Sequence, residues 1–165
     1  MSEWFALYVR SRHEFVTYGE LAGKGIEAFL PQVRRPRRWK DRDKLGDFPL
    51  FPGYLFVHIR PGPENFVSVL KARGAVTLIS AVPGRPTPVT EEEISSLKIM
   101  VASGEQFDLA PHIREGQRVR IKAGPLKGAQ GVLSKKEARY IFSVNVELLG
   151  RSLGVKVYPD DVEPF

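Results

Sequence analysis

The chain has 165 residues, of which 42% are hydrophobic, and a formal net charge of +6. That length accommodates one medium domain or two small ones with a buried core, and the positive balance points to a polyanionic neighbour. Cysteine is absent, which excludes disulfides, thiol chemistry and cysteine-ligated zinc. No apolar run approaches membrane-spanning length, and residues 1–10 lack the charged start and apolar stretch of a signal peptide. The expectation is a soluble, cytoplasmic protein.

In chain order, residues 4–9 alternate as a strand with Trp4, Ala6 and Tyr8 on one face. Ser11 and Glu14 match a capping box that announces a helix carrying Phe15, Tyr18 and Ala22, closed near Gly23 and Gly25. Residues 26–32 predict a strand, residues 33–44 form a basic run, and Pro49 to Gly53 turn the chain into a strand over 54–59. Gly62 and Pro63 start a second helix with Phe66, Val69 and Leu70 on one face. A strand over 75–81 ends at Pro83-Gly84. Thr90 and Glu93 then form another capping box before a helix lined by Ile94, Leu97 and Val101.

The order β-α-β-β-α-β-α predicts an α+β domain over residues 1–103, a mixed sheet flanked by helices. Residues 104–114 lack periodicity and read as a linker. Beyond them, segments 118–122, 131–135, 141–148 and 153–158 are short strands at hairpin spacing, predicting a small all-β barrel over 115–165.

Residues 119–133 read VRIKAGPLKGAQGVL, two β-like runs punctuated by Gly124, Gly128 and Gly131. A strand, a Gly-rich turn and a second strand resemble the KOW motif of SH3-like barrels in transcription and ribosomal proteins. The stretch is not a phosphate-cradling P-loop, because Lys127 precedes Gly128 and a strand follows in place of a helix. A generic Gly turn in a β-domain is the alternative at this point.

Trp4-Phe5-Ala6-Leu7-Tyr8-Val9, then Pro49-Leu50-Phe51-Pro52-Gly53-Tyr54-Leu55-Phe56-Val57, and then the KOW turn resemble, in this order, the NusG family of transcription elongation factors. The resemblance implies an N-terminal domain that rides on RNA polymerase and a flexibly joined, SH3-like KOW domain that recruits other factors. Arg37-Arg38-Trp39-Lys40-Asp41-Arg42 ahead of the Phe-Pro-Gly-Tyr element looks like the specialised UpxY and RfaH-like antiterminators rather than the housekeeping factor.

Residues 54–59 alternate, with Leu55, Val57 and Ile59 on one face and Tyr54, Phe56 and His58 on the other. The aromatic face suits core packing and equally suits interface anchoring. The resemblance tips that balance: Tyr8, Tyr54, Phe56 and Leu97 are implied to grip the clamp helices of the polymerase's largest subunit. The basic run carries seven cations, Arg37 and Arg38 among them, against Asp41 and Asp43. It reads either as a solvated hairpin or as a contact to nucleic-acid backbone, with Trp39 stacking on a base or anchoring the hairpin. Arg10, Arg12, His13 and Arg73 occupy positions where RfaH-like relatives contact the non-template DNA strand.

Leu148, Leu149 and Arg151 flank Gly150 and resemble the hairpin by which family members bind Rho or a small-subunit ribosomal protein. Leu149 stands where relatives often carry an aromatic, which argues against Rho in particular. The three histidines are scattered, and no metal-ligand spacing or nucleophile motif occurs. Glu91, Glu92 and Glu93 fall in a helix's first turn, where the macrodipole favours acids. The reading is therefore a monomeric non-enzyme without cofactor or metal, a factor that suppresses pausing or termination. The alternatives are a housekeeping NusG and an RNA-binding or ribosome-associated KOW protein. Val119, Ile121, Val144, Val146, Val155 and Val157 favour strands, so the C-terminal segment is expected to be constitutively β rather than an RfaH-like helical hairpin.

Overall fold

The computed structural model describes residues 1–39, 42–105, 107–111 and 116–165; the side chains of residues 35–39, 42–45, 111 and 136 lie outside that description. Contacts divide the chain into two compact units, Met1–Pro88 and Val89–Phe165.

The first unit is built on a sheet of strand order β2-β5-β1-β6, with β1 (Glu3–Val9), β2 (Glu27–Phe29), β5 (Tyr54–Ile59) and β6 (Ala75–Leu78), and with β7 (Pro88–Val89) attached to β1. The β1–β5, β1–β6 and β2–β5 pairings are all antiparallel. The register sets Leu7 opposite Leu55 and Phe5 opposite Val57 on one face of the sheet, with Tyr8 opposite Tyr54 and Ala6 opposite Phe56 on the other. The alternation read from residues 54–59 is thus realised.

On the aliphatic face, Phe5, Leu7, Val9, Leu55, Val57 and Ile59 form one core with Leu21 of α1 (Glu14–Gly23) and Val69 of α2 (Pro63–Leu70). Burying each such side chain contributes about 1.5–3 kcal/mol, so this face holds both helices down. α2 begins as expected, with Gly62 as its cap and Pro63 in the first turn, where the missing N–H costs nothing.

The basic run spans β3 (Gln32–Trp39) and β4 (Arg42–Pro49), which pair only with each other and form a separate two-stranded ribbon. Arg37 and Arg38 lie on β3, and their side chains, like that of Trp39, are outside the described residues.

Two expectations fail in physically informative ways. The Ser11/Glu14 capping box is not formed: α1 starts at Glu14 with His13 as N-cap, and the His13 side chain accepts from none of the helix's first N–H groups. Glu14 is buried and serves a long-range partner instead, described below. The supposed linker contains a strand, β8 (Asp108–Pro111), which pairs antiparallel with β12 (Arg151–Val157). An open sheet edge is a template for any extended segment of adequate reach, and residues 108–111 satisfy it without a hydrophobic pattern of their own.

The second unit is a six-stranded sheet ordered β13-β9-β10-β11-β12-β8, using β9 (Gln117–Ile121), β10 (Gln130–Lys136), β11 (Arg139–Val146) and β13 (Val162–Pro164). Every pairing in it is antiparallel. The segment expected to be constitutively β contains no α-helix among its described residues. Phe142, Val144, Leu153 and Val155 are buried, as alternating positions on two paired strands should be. At Gly131 an added Cβ would sit 2.3 Å from the Ser143 carbonyl oxygen, so glycine there is what lets β10 and β11 approach.

α3 (Glu91–Ser103) is grouped with this second unit. The Thr90 hydroxyl caps it by accepting from the Glu93 N–H at 3.2 Å, as the capping box expected there requires. The Glu93 carboxylate accepts from the Glu147 backbone N–H at 3.4 Å, and the Ser96 hydroxyl accepts from the Gln130 N–H at 3.0 Å. Glu92 pairs with Arg118. The sequence reading ended the first domain at 103, whereas the division by contacts falls at Pro88.

Candidate functional site

The Phe51-Pro52-Gly53-Tyr54 element closes as a tight turn, the Tyr54 N–H donating to the Phe51 carbonyl at 3.0 Å. Proline at the second position and glycine at the third, with Gly53 at φ +89°, are what a type II turn requires. Both polar groups of Gly53 are used. Its carbonyl accepts from the Val9 N–H at 2.8 Å, and its N–H donates to Glu14 Oε2 at 2.9 Å. One glycine therefore ties β1, α1 and the start of β5 together.

The consequence is the placement of two tyrosines. Tyr8 and Tyr54 are cross-strand partners with ring centroids 5.4 Å apart and planes tilted by 48°. Tyr8 is 40% exposed and Tyr54 is half-buried. Directly after Tyr8 the β1–β6 register shifts, a bulge of the kind that re-aims side chains beside functional surfaces.

The other residues expected to contact polymerase are placed differently. Phe56 is fully buried, stacked on Phe29 at 6.1 Å and edge-on to Phe51 at 6.5 Å. Leu97 is likewise fully buried on α3. His58 stacks on the buried Trp4 at 4.6 Å and pairs with Glu27 at 2.9 Å, which occupies the far end of the aromatic face.

Arg10, Arg12, His13 and Arg73 are brought together although the ends of the set are sixty-three positions apart in the chain. The Arg10 N–H donates to the Gly74 carbonyl at 2.8 Å, and the buried Thr17 hydroxyl donates to the Arg73 carbonyl at 2.6 Å. The Arg73 N–H also donates to the Glu20 carboxylate. These bonds lock the 70–75 segment against the entry to α1. The three arginine side chains are exposed, a cationic surface with His13 half-buried beside it, its Nδ1 2.9 Å from the Ser11 carbonyl. Such a surface pairs favourably with phosphate through counterion release.

In the second unit, Leu148 and Leu149 sit half-buried on a short 3₁₀ turn, Glu147–Leu149, that Gly150 closes. Arg151 follows at the start of β12, also half-buried. Among the described residues no cluster of histidine, cysteine or carboxylates could hold a metal, and no helix is long and apolar enough to cross a membrane.

Two contributors were not legible in the sequence. Glu14 looked like a local capping residue, and only the fold brings Gly53 to it. Thr17, one of several polar residues on a helix, carries no local mark of its bond to Arg73.

Comparison with known proteins bears on this arrangement. A family model described as "NusG: Transcription termination factor nusG" matches residues 2–98. The chain is 26% identical over 141 residues to the transcription termination/antitermination protein NusG of Borreliella burgdorferi, covering 80% of this chain and 76% of that one. It is 25% identical over 174 residues to the protein of the same name from Chlamydia trachomatis, covering 99% and 92%. A solved structure describing domain interaction in Thermotoga maritima NusG superposes with a TM-score of 0.50 at 23% identity, covering 100% of this chain and 98% of that one.

Proposed function

The chain belongs to the NusG family of transcription termination and antitermination factors, and from that premise we propose that it rides on RNA polymerase through the Tyr8–Tyr54 surface and suppresses pausing or termination. The observation that carries this reading is the half-exposed tyrosine pair, held in place by the Phe-Pro-Gly-Tyr turn and the buried Glu14. Tyrosine supplies a large amphipathic contact area and is enriched among residues that anchor interfaces. The partner surface is the clamp helices of the largest polymerase subunit. Phe56 belongs to this proposal as buried support of the site.

The mechanism needs no chemistry. A factor that binds the elongating conformation of the polymerase better than its paused conformation shifts the population toward elongation by its difference in affinity. Arg10, Arg12, His13 and Arg73 supply a cationic surface for the exposed non-template strand, and the β3–β4 ribbon with Arg37 and Arg38 extends the positive charge. Residues 115–165 are read as a KOW barrel that recruits a protein through Leu148, Leu149 and Arg151. The small-subunit ribosomal protein is favoured over Rho, and the chain as a whole is an operon-specific relative of the housekeeping factor.

The test is a transcription assay with purified polymerase, adding wild-type protein, Tyr8→Ala or Tyr54→Ala. The expected result is loss of pause suppression at protein concentrations where wild type saturates, with melting temperature nearly unchanged. Full activity in both variants would overturn the assignment of the surface.

A further inference from the structure

We infer that Thr17 and Glu20 of α1 are positioning residues for nucleic-acid binding. Together they hold the backbone of Arg73, so that its guanidinium and that of Arg10 meet phosphates from a preset frame. The inference rests on the cationic surface proposed above.

An acid stands among these cations. Arg10, Arg12 and Arg73 are exposed, and so is Glu20, whose carboxylate accepts from the Arg73 N–H. By charge alone, a carboxylate beside Arg73 weakens the attraction of this surface for a polyanion. Its bond gives it a different task. Residues 72–75 form a turn closed by the Ala75 N–H donating to the Ala72 carbonyl at 3.1 Å, with Arg73 and Gly74 at its centre. Glu20 takes the Arg73 N–H, and the fully buried Thr17 hydroxyl donates to the Arg73 carbonyl at 2.6 Å. Both backbone polar groups of one arginine are therefore bonded to side chains three residues apart on α1, a spacing that puts them side by side on the helix.

Gly74 seats the turn against the helix. Its φ is +87°, and an added Cβ would lie 2.7 Å from both His13 Cβ and Thr17 Oγ1, so any other residue would push the turn away. The Gly74 carbonyl accepts from the Arg10 N–H at 2.8 Å, which joins the backbone of Arg10 to the same turn. Arg12 follows at φ +63°, a region few residues other than glycine adopt, and the His13 N–H closes that bend on the Arg10 carbonyl at 3.0 Å. A loop that is ordered only on binding subtracts its lost freedom from the affinity. Here the backbone is ordered beforehand, and only the arginine side chains remain to be fixed by phosphate.

The experiment measures the affinity of the full-length protein for a fluorescent oligodeoxythymidine of about ten nucleotides over a range of salt concentrations. Each phosphate contact to a single strand contributes about 0.7 to the slope of log K against log salt, so Arg73→Ala should make the slope shallower by about that amount. Glu20→Ala should do the same although it removes a negative charge. Glu20→Gln, which keeps an acceptor for the Arg73 N–H, should retain the wild-type slope. Thr17→Val should match Glu20→Ala, and Thr17→Ser should restore the slope. In an Arg73→Ala background, Glu20→Ala should make the slope no shallower. Glu20 is exposed, so circular dichroism should find its variants folded, and they decide the matter alone if Thr17→Val unfolds. Tighter binding with an unchanged slope in Glu20→Ala overturns the inference, because the carboxylate then does no more than repel the strand. Equal losses in Glu20→Gln and Glu20→Ala overturn it too. A wild-type slope in Arg73→Ala, or no measurable binding by the wild-type protein, overturns the cationic surface itself and the positioning roles with it.

Discussion

Replacing Gly53 by alanine tests whether the Phe-Pro-Gly-Tyr turn positions the tyrosine pair. The native φ of +89° lies in a region that costs an L-residue about 1–2 kcal/mol. The new methyl would also meet Tyr8 Cε1 at 3.2 Å, so the ring must shift, and an off-rotamer side chain costs about 0.5–1.5 kcal/mol. Escape to negative φ would sacrifice the Gly53 N–H bond to the Glu14 carboxylate, and bonds to charged groups contribute about 1.5–3 kcal/mol. Either route gives a loss of about 2–3 kcal/mol. Gly25→Ala is the matched control, because Gly25 has φ +76° with nothing within 4 Å of an added Cβ, leaving only the backbone cost of about 1–2 kcal/mol. For a unit of this size each kcal/mol lowers the melting temperature by about 4–8 °C. Thermal denaturation should therefore separate the two variants, and hydrogen exchange at the Val9 and Tyr54 amides should accelerate only in Gly53→Ala. If Gly53→Ala is as stable as the control, with unchanged exchange at both amides, the turn does not hold the site.

Phe56→Ala should destabilise the protein by about 3–5 kcal/mol, read as a lowered urea midpoint, because its ring is buried against Phe29 and Phe51. Tyr54→Ala should leave that midpoint nearly intact while weakening polymerase binding by about 2 kcal/mol, and the reverse pattern would place the interface elsewhere. Gly131→Ala forces a methyl against the Ser143 carbonyl and the Phe142 ring, so a loss at the upper end of the about 1–3 kcal/mol seen for overpacking is expected; unchanged denaturation would mean that β10 and β11 sit further apart. Leu149→Glu places a charge on a half-buried turn where it stays hydrated, so the circular dichroism spectrum should be retained while a pull-down of the ribosomal partner fails. Persistent capture would remove the Leu148–Arg151 turn from the recruiting surface.

Local pattern determined what most segments would be. Period-2 alternation in residues 54–59 specified which residues share a face, since successive side chains on a strand must point oppositely, and β1 and β5 keep that order. Pro52-Gly53 specified a turn, and Thr90 specified a helix start, because each rests on dihedral preference or a hydrogen bond within four residues. Four strands of residues 115–165 (β9 to β12) followed from short β-rich runs at hairpin spacing, whereas β13 carried no such signal. Tertiary structure alone decided what those segments touch. Ser11-x-x-Glu14 has the letters of a capping box, yet the Glu14 carboxylate goes to the Gly53 N–H, thirty-nine residues away. Residues 108–111 lack a strand pattern and become β8 because β12 offers an unpaired edge. Of the three aromatics the resemblance implies at the polymerase contact, Phe56 is buried while Tyr8 and Tyr54 reach the surface. Alternation assigns a residue to a face, whereas burial depends on what the rest of the chain lays over it. Such partners are separated by tens of residues, and no short-range preference encodes them.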